Sequence, residues 1–332
     1  MPRSIPPIAA LLLLLVAPSG WTKPAALTPE ASAFVDEMVA EHGFERAALT
    51  ELLAGAKRRQ DILDAISRPA EAKPWYQYRP IFVTEQRARG GLEFWNTNEE
   101  LLARVEAEFG VPAEILVAIV GVETRYGSYR GKYLVIDALN TLAFSYPRRG
   151  SFFRSELEQF LLLTREEDLD PSQPKGSYAG AMGTPQFISS SYRRYAVDFD
   201  GDGRRDLWDS LPDVLASVAN YFVRHGWLAG EPITRRTRPG SGPVQPLVDA
   251  GMKPSIPLRQ LSAAGFSEVE DLPPDSLASL VRLELAEGEE YWLGLPNFYV
   301  ITRYNHSNMY AMAVYQLSRE ILALRAAQRP DG

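Results

Sequence analysis

The stretch "VPAEILVAIVGVETRYGSY", Val111 to Tyr129, is apolar over most of its length until a lone carboxylate, Glu123. Pro112 suits the first turn of a helix, where its missing N–H goes unused. Ile115, Leu116, Ile119, Val120 and Glu123 recur at three- and four-residue spacing, which predicts a helix with Glu123 on the apolar stripe. Gly127 offers a left-handed stop, so Glu123 is expected near the carboxyl end of a buried helix. A carboxyl there is expected to hold its proton. Burial disfavours the carboxylate, and so does the negative end of the helix dipole. A carboxyl protonated near neutral pH is what a general acid requires. A structural Glu paired with Arg125 or Arg130 fits the same residues, because ion-pair networks also perturb titration.

The rest of the chain bounds the possibilities. Its 332 residues are 45% hydrophobic and 23% charged, an ordinary globular balance with room for two or three cores. The formal net charge is −7 and no long basic run occurs, which argues against nucleic acid as a partner. His42, His225 and His306 are scattered and lack zinc spacing. There is no G-x-S-x-G, no Walker A and no dinucleotide fingerprint. Near the start, Arg3 precedes "IAALLLLLVA", Ile8 to Ala17, then "PSG". That run is too short to span a bilayer comfortably and reads as a signal peptide over residues 1–20, with Ala17 and Ser19 at small-residue cleavage positions. An uncleaved anchor is the alternative. Zero cysteines fits export without disulfides and excludes a lipid-modified N-terminal Cys.

Along the chain, residues 28–74 read as an N-terminal helical domain. Thr28 caps a helix, Pro29 starts it, and Phe34, Val35, Met38 and Val39 form its stripe. "RPAEAKP", Arg68 to Pro74, is the expected linker. Residues 75–229 read as mostly helical, with Thr84 and Asn98 as caps. After Gly230, Pro and Gly become frequent. Val281, Leu283 and Leu285 alternate with Arg282 and Glu284, a strand period, and "FYVITRY" reads as a second strand. The chain is helical again from about Asn308. The expected fold is therefore mainly α (α+β), with a small β-containing insertion over 230–296 inside a helical domain that resumes at 297–328.

"DFDGDGRRDLWD", Asp198 to Asp209, has hard oxygen ligands at alternate positions and then a glycine, the pattern of an EF-hand-like calcium loop. Asp198, Asp200 and Asp202 take positions one, three and five. Arg204 offers its carbonyl at seven. Position twelve is Asp209, where a longer Glu is usual, so Asp213 is a second way to close the loop. A solvated acidic turn is the bland reading. "GSYAGAMGTPQF", Gly176 to Phe187, lets backbone approach a ligand closely. Ser177, Tyr178 and Gln186 supply hydrogen-bonding groups there. "WYQYRP" and "TRYNHSNMY" add Tyr78, Tyr304, Asn305 and Tyr310, aromatic faces and an amide that suit stacking on sugars; ordinary core packing explains such residues equally well.

The order "VETRYG", "GSYAGAMGTPQF", "YAVDFDGDG", "LWD", "SVANYFVRHGW", "TRYNHSNMYAMAV" resembles the lytic murein transglycosylase B family over about residues 28–325. The resemblance implies a lysozyme-like core, a helical N-terminal domain, a small β domain and a structural Ca²⁺ site, with no organic cofactor. It implies cleavage of the β-1,4 MurNAc–GlcNAc bond of peptidoglycan, leaving 1,6-anhydro-MurNAc ends. Carried onto this sequence, it makes Glu123 the catalytic acid/base. Tyr78, Ser177, Gln186, Tyr221, Tyr304, Asn305 and Tyr310 bind glycan or hold Glu123. Asp198, Asp200, Asp202, Arg204 and Asp213 hold calcium, with Asp209 as the other candidate. It further implies a monomer in the periplasm of a Gram-negative bacterium, with glycan strands and other cell-wall enzymes as partners. Two departures stand out. Thr184-Pro185 occupies a place where some relatives carry Tyr-Gly, and the founding type's lipid-modified Cys is absent.

The implied reaction explains a lone acid. Ordinary glycosidases use two carboxylates across the bond. Here one serves twice, because the nucleophile is the sugar's own C6 hydroxyl. A lysozyme-type hydrolase, which needs a second acid, and a noncatalytic calcium-stabilised wall-binding protein are the competing readings.

Overall fold

The structure, a computed structural model, describes residues 26–68, 73–267 and 272–328. The leader assigned to residues 1–20 lies outside them, as does part of the linker expected at 68–74. The chain divides into two compact units at the Gly55–Ala56 junction. The first contains α1 (Pro29–His42) and α2 (Arg46–Gly55), packed on each other. The Thr28 side chain accepts the Ala31 N–H at 3.2 Å, and left-handed Gly43 ends α1. Phe34, Val35, Met38, Leu49 and Leu53 are buried.

The second unit opens with α3 (Gln60–Ile66), α4 (Trp75–Phe82), α5 (Glu85–Thr97), α6 (Glu99–Phe109) and α7 (Ala113–Thr124). A short strand, β1 (Tyr133–Leu134), leads into α8 (Val135–Ser145) and α9 (Gly150–Glu166). Then come β2 (Lys175–Gly176), α10 (Ser189–Tyr195) and α11 (Leu211–Arg224). The division falls ahead of the linker expected at 68–74 because α3 packs on α8. Asp137 Oδ1 accepts the Lys57 N–H at 2.8 Å, and Thr141 Oγ1 accepts the Arg59 N–H at 3.0 Å.

Helix α7 is the hub, packed against α5, α6, α11 and the last helix of the chain. Only Glu114 and Glu123 escape full burial along it, as expected of a helix that is apolar all round. Its stop is Arg125, not Gly127. Arg125 is left-handed at φ 50°, and Tyr126 and Gly127 follow at 60° and 81°. The Arg125 and Tyr126 N–H groups return to the carbonyls of Gly121 and Val120, which offsets the cost of a left-handed non-glycine residue. The Tyr126 ring seats the turn. Its hydroxyl donates to the Arg87 carbonyl at 2.7 Å. A Cβ on Gly91 or Gly121 would come within 2.7 or 2.6 Å of that hydroxyl oxygen, so both sites must stay bare.

The β-containing segment runs β3 (Thr234–Thr237), α12 (Gln245–Asp249), β4 (Ile256–Pro257), α13 (Leu258–Ala263), β5 (Leu277–Glu284) and β6 (Glu289–Gly294). Its sheet is antiparallel in the order β3-β6-β5-β4, with Val281 opposite Trp292. Ile256, Leu261, Phe266, Leu280 and Leu293 form its own core. The second long strand is β6, not "FYVITRY". That stretch forms α14 (Pro296–Tyr304), followed by α15 (Asn308–Gln328). Pro296 occupies the first helical turn. The buried Asn297 amide pins the helix start by binding the Leu228 N–H and the carbonyls of Leu228 and Glu231. Those anchors outweigh the strand preference of its aromatic and β-branched residues.

Candidate active site

Glu123 stands on the last turn of α7, half-buried. The Tyr310 hydroxyl, brought by the first turn of α15, donates to Glu123 Oε1 at 2.5 Å. Tyr310 is itself buried. Its ring lies nearly parallel to that of Tyr304, with centroids 6.4 Å apart and planes 7° apart. The Tyr304 hydroxyl donates to the Pro185 carbonyl at 2.7 Å. Tyr221 of α11 meets the Tyr304 ring edge-on at 5.0 Å and donates to the Arg303 carbonyl at 2.5 Å. Burial first, and the charge of Glu123 second, push the Tyr304 and Tyr310 hydroxyls well above the ordinary tyrosine range. Burial also raises Tyr221, with Tyr195 adding and Arg303 opposing. All three therefore remain hydrogen-bond donors at neutral pH.

The glycine-rich stretch forms the neighbouring wall. Thr124, next to Glu123, donates its hydroxyl to the Thr184 carbonyl at 2.9 Å, and the Thr184 N–H reaches the Leu207 carbonyl at 2.8 Å. The Thr184-Pro185 pair is thus tied on one side to α7 and on the other to the acidic loop. Ser177 Oγ accepts the N–H groups of Ala179 and Ala181, at 3.2 and 3.1 Å, and holds the turn. Gln186 is left-handed at φ 53°. Its amide donates to the carbonyls of Gly183 and Arg130. Behind it, a Cβ on Gly131 would lie 2.0 Å from the Gly176 carbonyl oxygen, which lets the β1–β2 pair close. Tyr78 is buried on α4, packed against Phe82 at 5.1 Å. Asn305 is exposed just after α14, and its carbonyl accepts the Ser307 N–H.

A cavity of about 480 Å³ opens beside the acid, lined by Glu123, Phe82, Arg87, Arg125 and Tyr129 among others. No second carboxylate lines it among the described residues. Sequence reasoning overlooked Arg87, and it weighed Arg125 only as an ion-pair partner of Glu123. The other arginine weighed for that role, Arg130, pairs instead with Asp209 at 3.1 Å.

The acidic loop brings carboxylate oxygens of Asp198, Asp200 and Asp202 within 4.8 Å of one another on the surface. The loop's backbone N–H groups hold them in place. Gly201 and Gly203 donate to Asp198, and Arg204 donates to Asp202 at 2.8 Å. Buried Asp213 accepts the Phe199 and Asp206 N–H groups at 2.8 and 2.9 Å, clasping the loop from both sides. Burial raises its carboxyl. Asp209 is largely exposed and turned to Arg130. Three close, hard oxygen donors on a glycine-bearing turn suit a divalent cation such as Ca²⁺.

A protein-family profile described as "Transglycosylase SLT domain" matches residues 26–319. The chain is 47% identical over 307 residues to the membrane-bound lytic murein transglycosylase B of Escherichia coli (strain K12), covering 90% of this chain and 84% of that protein. Among solved structures it is similar to the soluble lytic transglycosylase SltB1 from Pseudomonas aeruginosa. That match has 51% identity and TM-score 0.84, and covers 90% of this chain and 100% of the other. It is also similar to Escherichia coli lytic transglycosylase Slt35 in complex with calcium, at 46% identity and TM-score 0.81, covering 90% and 94%.

Proposed function

The chain belongs to the transglycosylase SLT domain family and is a lytic transglycosylase of peptidoglycan, and from that premise we propose that Glu123 alone carries both of its proton transfers. The observation behind this is that Glu123 is the one carboxylate lining its cavity among the described residues, and that Tyr310 holds it by a 2.5 Å hydrogen bond. The carboxyl gives its proton to the glycosidic oxygen between MurNAc and GlcNAc as the C1–O bond breaks. The 2-acetamido group assists by stabilising the positive charge left at C1 until the C6 oxygen bonds there. The resulting carboxylate takes the proton of the C6 hydroxyl while that oxygen bonds to C1, closing the 1,6-anhydro ring and consuming no water. Tyr310 fixes the carboxyl's orientation through the whole cycle. The Tyr304 hydroxyl keeps the glycine-rich wall, with Ser177 and Gln186, at a constant distance from it. Tyr78 and Tyr221, both buried, support Tyr310 and Tyr304 behind Glu123, and exposed Asn305 is the one of the three left to meet glycan.

The product decides between this reading and a hydrolase. Muropeptides released from purified sacculi are expected to be lighter by one water than those of a lysozyme digest and to lack reducing ends, by mass spectrometry. Glu123→Gln is expected to remove the activity from a protein with an unchanged melting curve. Hydrated, reducing products would assign the nucleophile to water.

The acidic loop is read as a structural Ca²⁺ site held by Asp198, Asp200, Asp202, the Arg204 carbonyl and Asp213. Asp209 is a weaker member because it faces Arg130. The ion would supply charge neutralisation for three crowded carboxylates and brace α10 against α11. The calcium complex of the similar Slt35 supports this assignment. The chain is further read as an exported, monomeric periplasmic enzyme of a Gram-negative cell, acting on glycan strands alongside other wall enzymes. No helix among the described residues is long and apolar enough to cross a membrane.

A further inference from the structure

Beyond Glu123 the groove continues past two cations. Arg87 and Arg125 both line the 480 Å³ cavity that holds Glu123, and both also line an adjoining cavity of about 510 Å³. Arg87 Nη1 is buried and has no hydrogen-bond partner. The guanidinium carbon lies over the Phe82 ring, 5.5 Å from its centroid. Its backbone is pinned by the Tyr126 hydroxyl and by the Thr84 cap, which accepts the Arg87 N–H at 3.2 Å. Arg125 is fixed by its left-handed place at the end of α7. Burial, and then the neighbouring Arg125 charge, lower the Arg87 guanidinium from its usual value. Two like charges held together, one with a buried donor lacking an acceptor, are costly unless an anion joins them.

We propose that Arg87 and Arg125 form an anion subsite beside Glu123 that takes a carboxylate carried on the muramic acid side chain of the substrate. The proposal rests on the transglycosylase reading for its substrate. Each muramic acid bears a lactyl ether at O3. That group ends either in its own carboxylate or in a peptide stem that carries carboxylates. The planar guanidinium of Arg87 presents a fork of donors matched to such a group. Binding there would anchor the sugar whose C1 reacts at Glu123, through contacts remote from the broken bond.

The test uses the full chain and glycan strands in four forms: stem-bearing, stem-bearing with carboxyls amidated, stripped of stems by an amidase, and stripped with the lactyl carboxyl amidated. kcat/KM is read from release of anhydro products. The wild type is expected to prefer at least one free-carboxylate form over its amidated counterpart by roughly 10- to 100-fold, the range of a charge-assisted hydrogen bond. The form that shows the preference identifies the stem or the lactyl group as the source. Arg125→Asn, chosen because Asn tolerates the left-handed backbone, is expected to collapse that ratio, and Arg125→Lys to restore part of it. Arg87→Gln should do the same if its melting curve matches the wild type; the exposed Arg125 variants decide the matter if it does not. Equal wild-type rates on free and amidated strands, or a slowing by Arg125→Asn of the same factor on all four, would overturn the subsite. Absence of anhydro products from every strand would instead overturn the transglycosylase chemistry.

Discussion

Replacing Tyr310 by Phe removes one oxygen and leaves the ring in place. That oxygen donates to Glu123 Oε1 at 2.5 Å from a buried position on α15. A hydrogen bond to a charged group contributes about 1.5–3 kcal/mol. Glu123 is only half-buried, so groove water can replace the lost donor and limit the stability cost to about 1 kcal/mol. For a unit of this size that is a fall of roughly 2–4 °C in Tm. Water does not hold a carboxyl in one orientation, so the larger loss is expected in the chemical step. A misaligned acid should lower kcat by roughly 10- to 100-fold, given the sensitivity of proton transfer to geometry. KM should change little, because the hydroxyl is occupied by Glu123. Steady-state release of anhydro-muropeptides, with a thermal melt of the same sample, measures both effects. Tyr304→Phe is the control: its hydroxyl holds the Pro185 carbonyl, so its effect should fall on KM through the loop wall. A Tyr310→Phe enzyme with kcat within about twofold of wild type would refute the positioning role. A rise in KM at unchanged kcat would place the hydroxyl on the substrate instead.

Other expectations follow from the same geometry. Chelation should lower Tm and Ca²⁺ should restore it better than Mg²⁺, by roughly 5–10 °C at about a hundredfold excess over Kd; no shift with either ion would leave Asp198, Asp200 and Asp202 as a solvated turn. Burial first, then Arg303 and Arg194, push His225 below its ordinary value, against the Tyr221 carbonyl. As pH falls through the unfolded value near 6.5, the unfolded chain takes a proton that the folded one refuses, so stability falls toward acid. His225→Gln should flatten that slope between about pH 7.5 and 5 in denaturant midpoints, and identical slopes would contradict it. Gly131→Ala should destabilise by about 2–4 kcal/mol, because its Cβ would strike the Gly176 carbonyl; an unchanged melting curve would show that the β1–β2 pair parts freely.

The proposed acid and the acidic loop were legible because each is local. Glu123 interrupts an apolar helical period, and the loop's Asp residues are adjacent in sequence. The aromatic segments were legible as surfaces suited to sugars, but Tyr221 and any tie to Glu123 came only through the family resemblance, since nothing in "TRYNHSNMY" itself says that Tyr310 reaches back to α7. "FYVITRY" misleads because its β-branched residues favour a strand, while the helix depends on Pro296 and on Asn297 reaching Leu228. Arg125 as the helix stop could not be read either, because its left-handed turn depends on a Tyr126 ring seated in the bare backbone at Gly91 and Gly121. Arg87 is silent for the same reason: only Phe82, Tyr126 and the folded groove make its charge unusual.

The hydrogen bond between Tyr310 and Glu123 joins residues 187 positions apart. A chain emerging from its amino end therefore makes the acid early and its orienting hydroxyl late. Until α15 docks, α7 lacks a major packing partner and the carboxyl lacks its fixed direction. Closing so long a loop is among the slower acts of folding. An enzyme that cuts the wall is thus assembled in an order that leaves it inert until its last helix has docked. A clip that releases α15 would return it to that inert state.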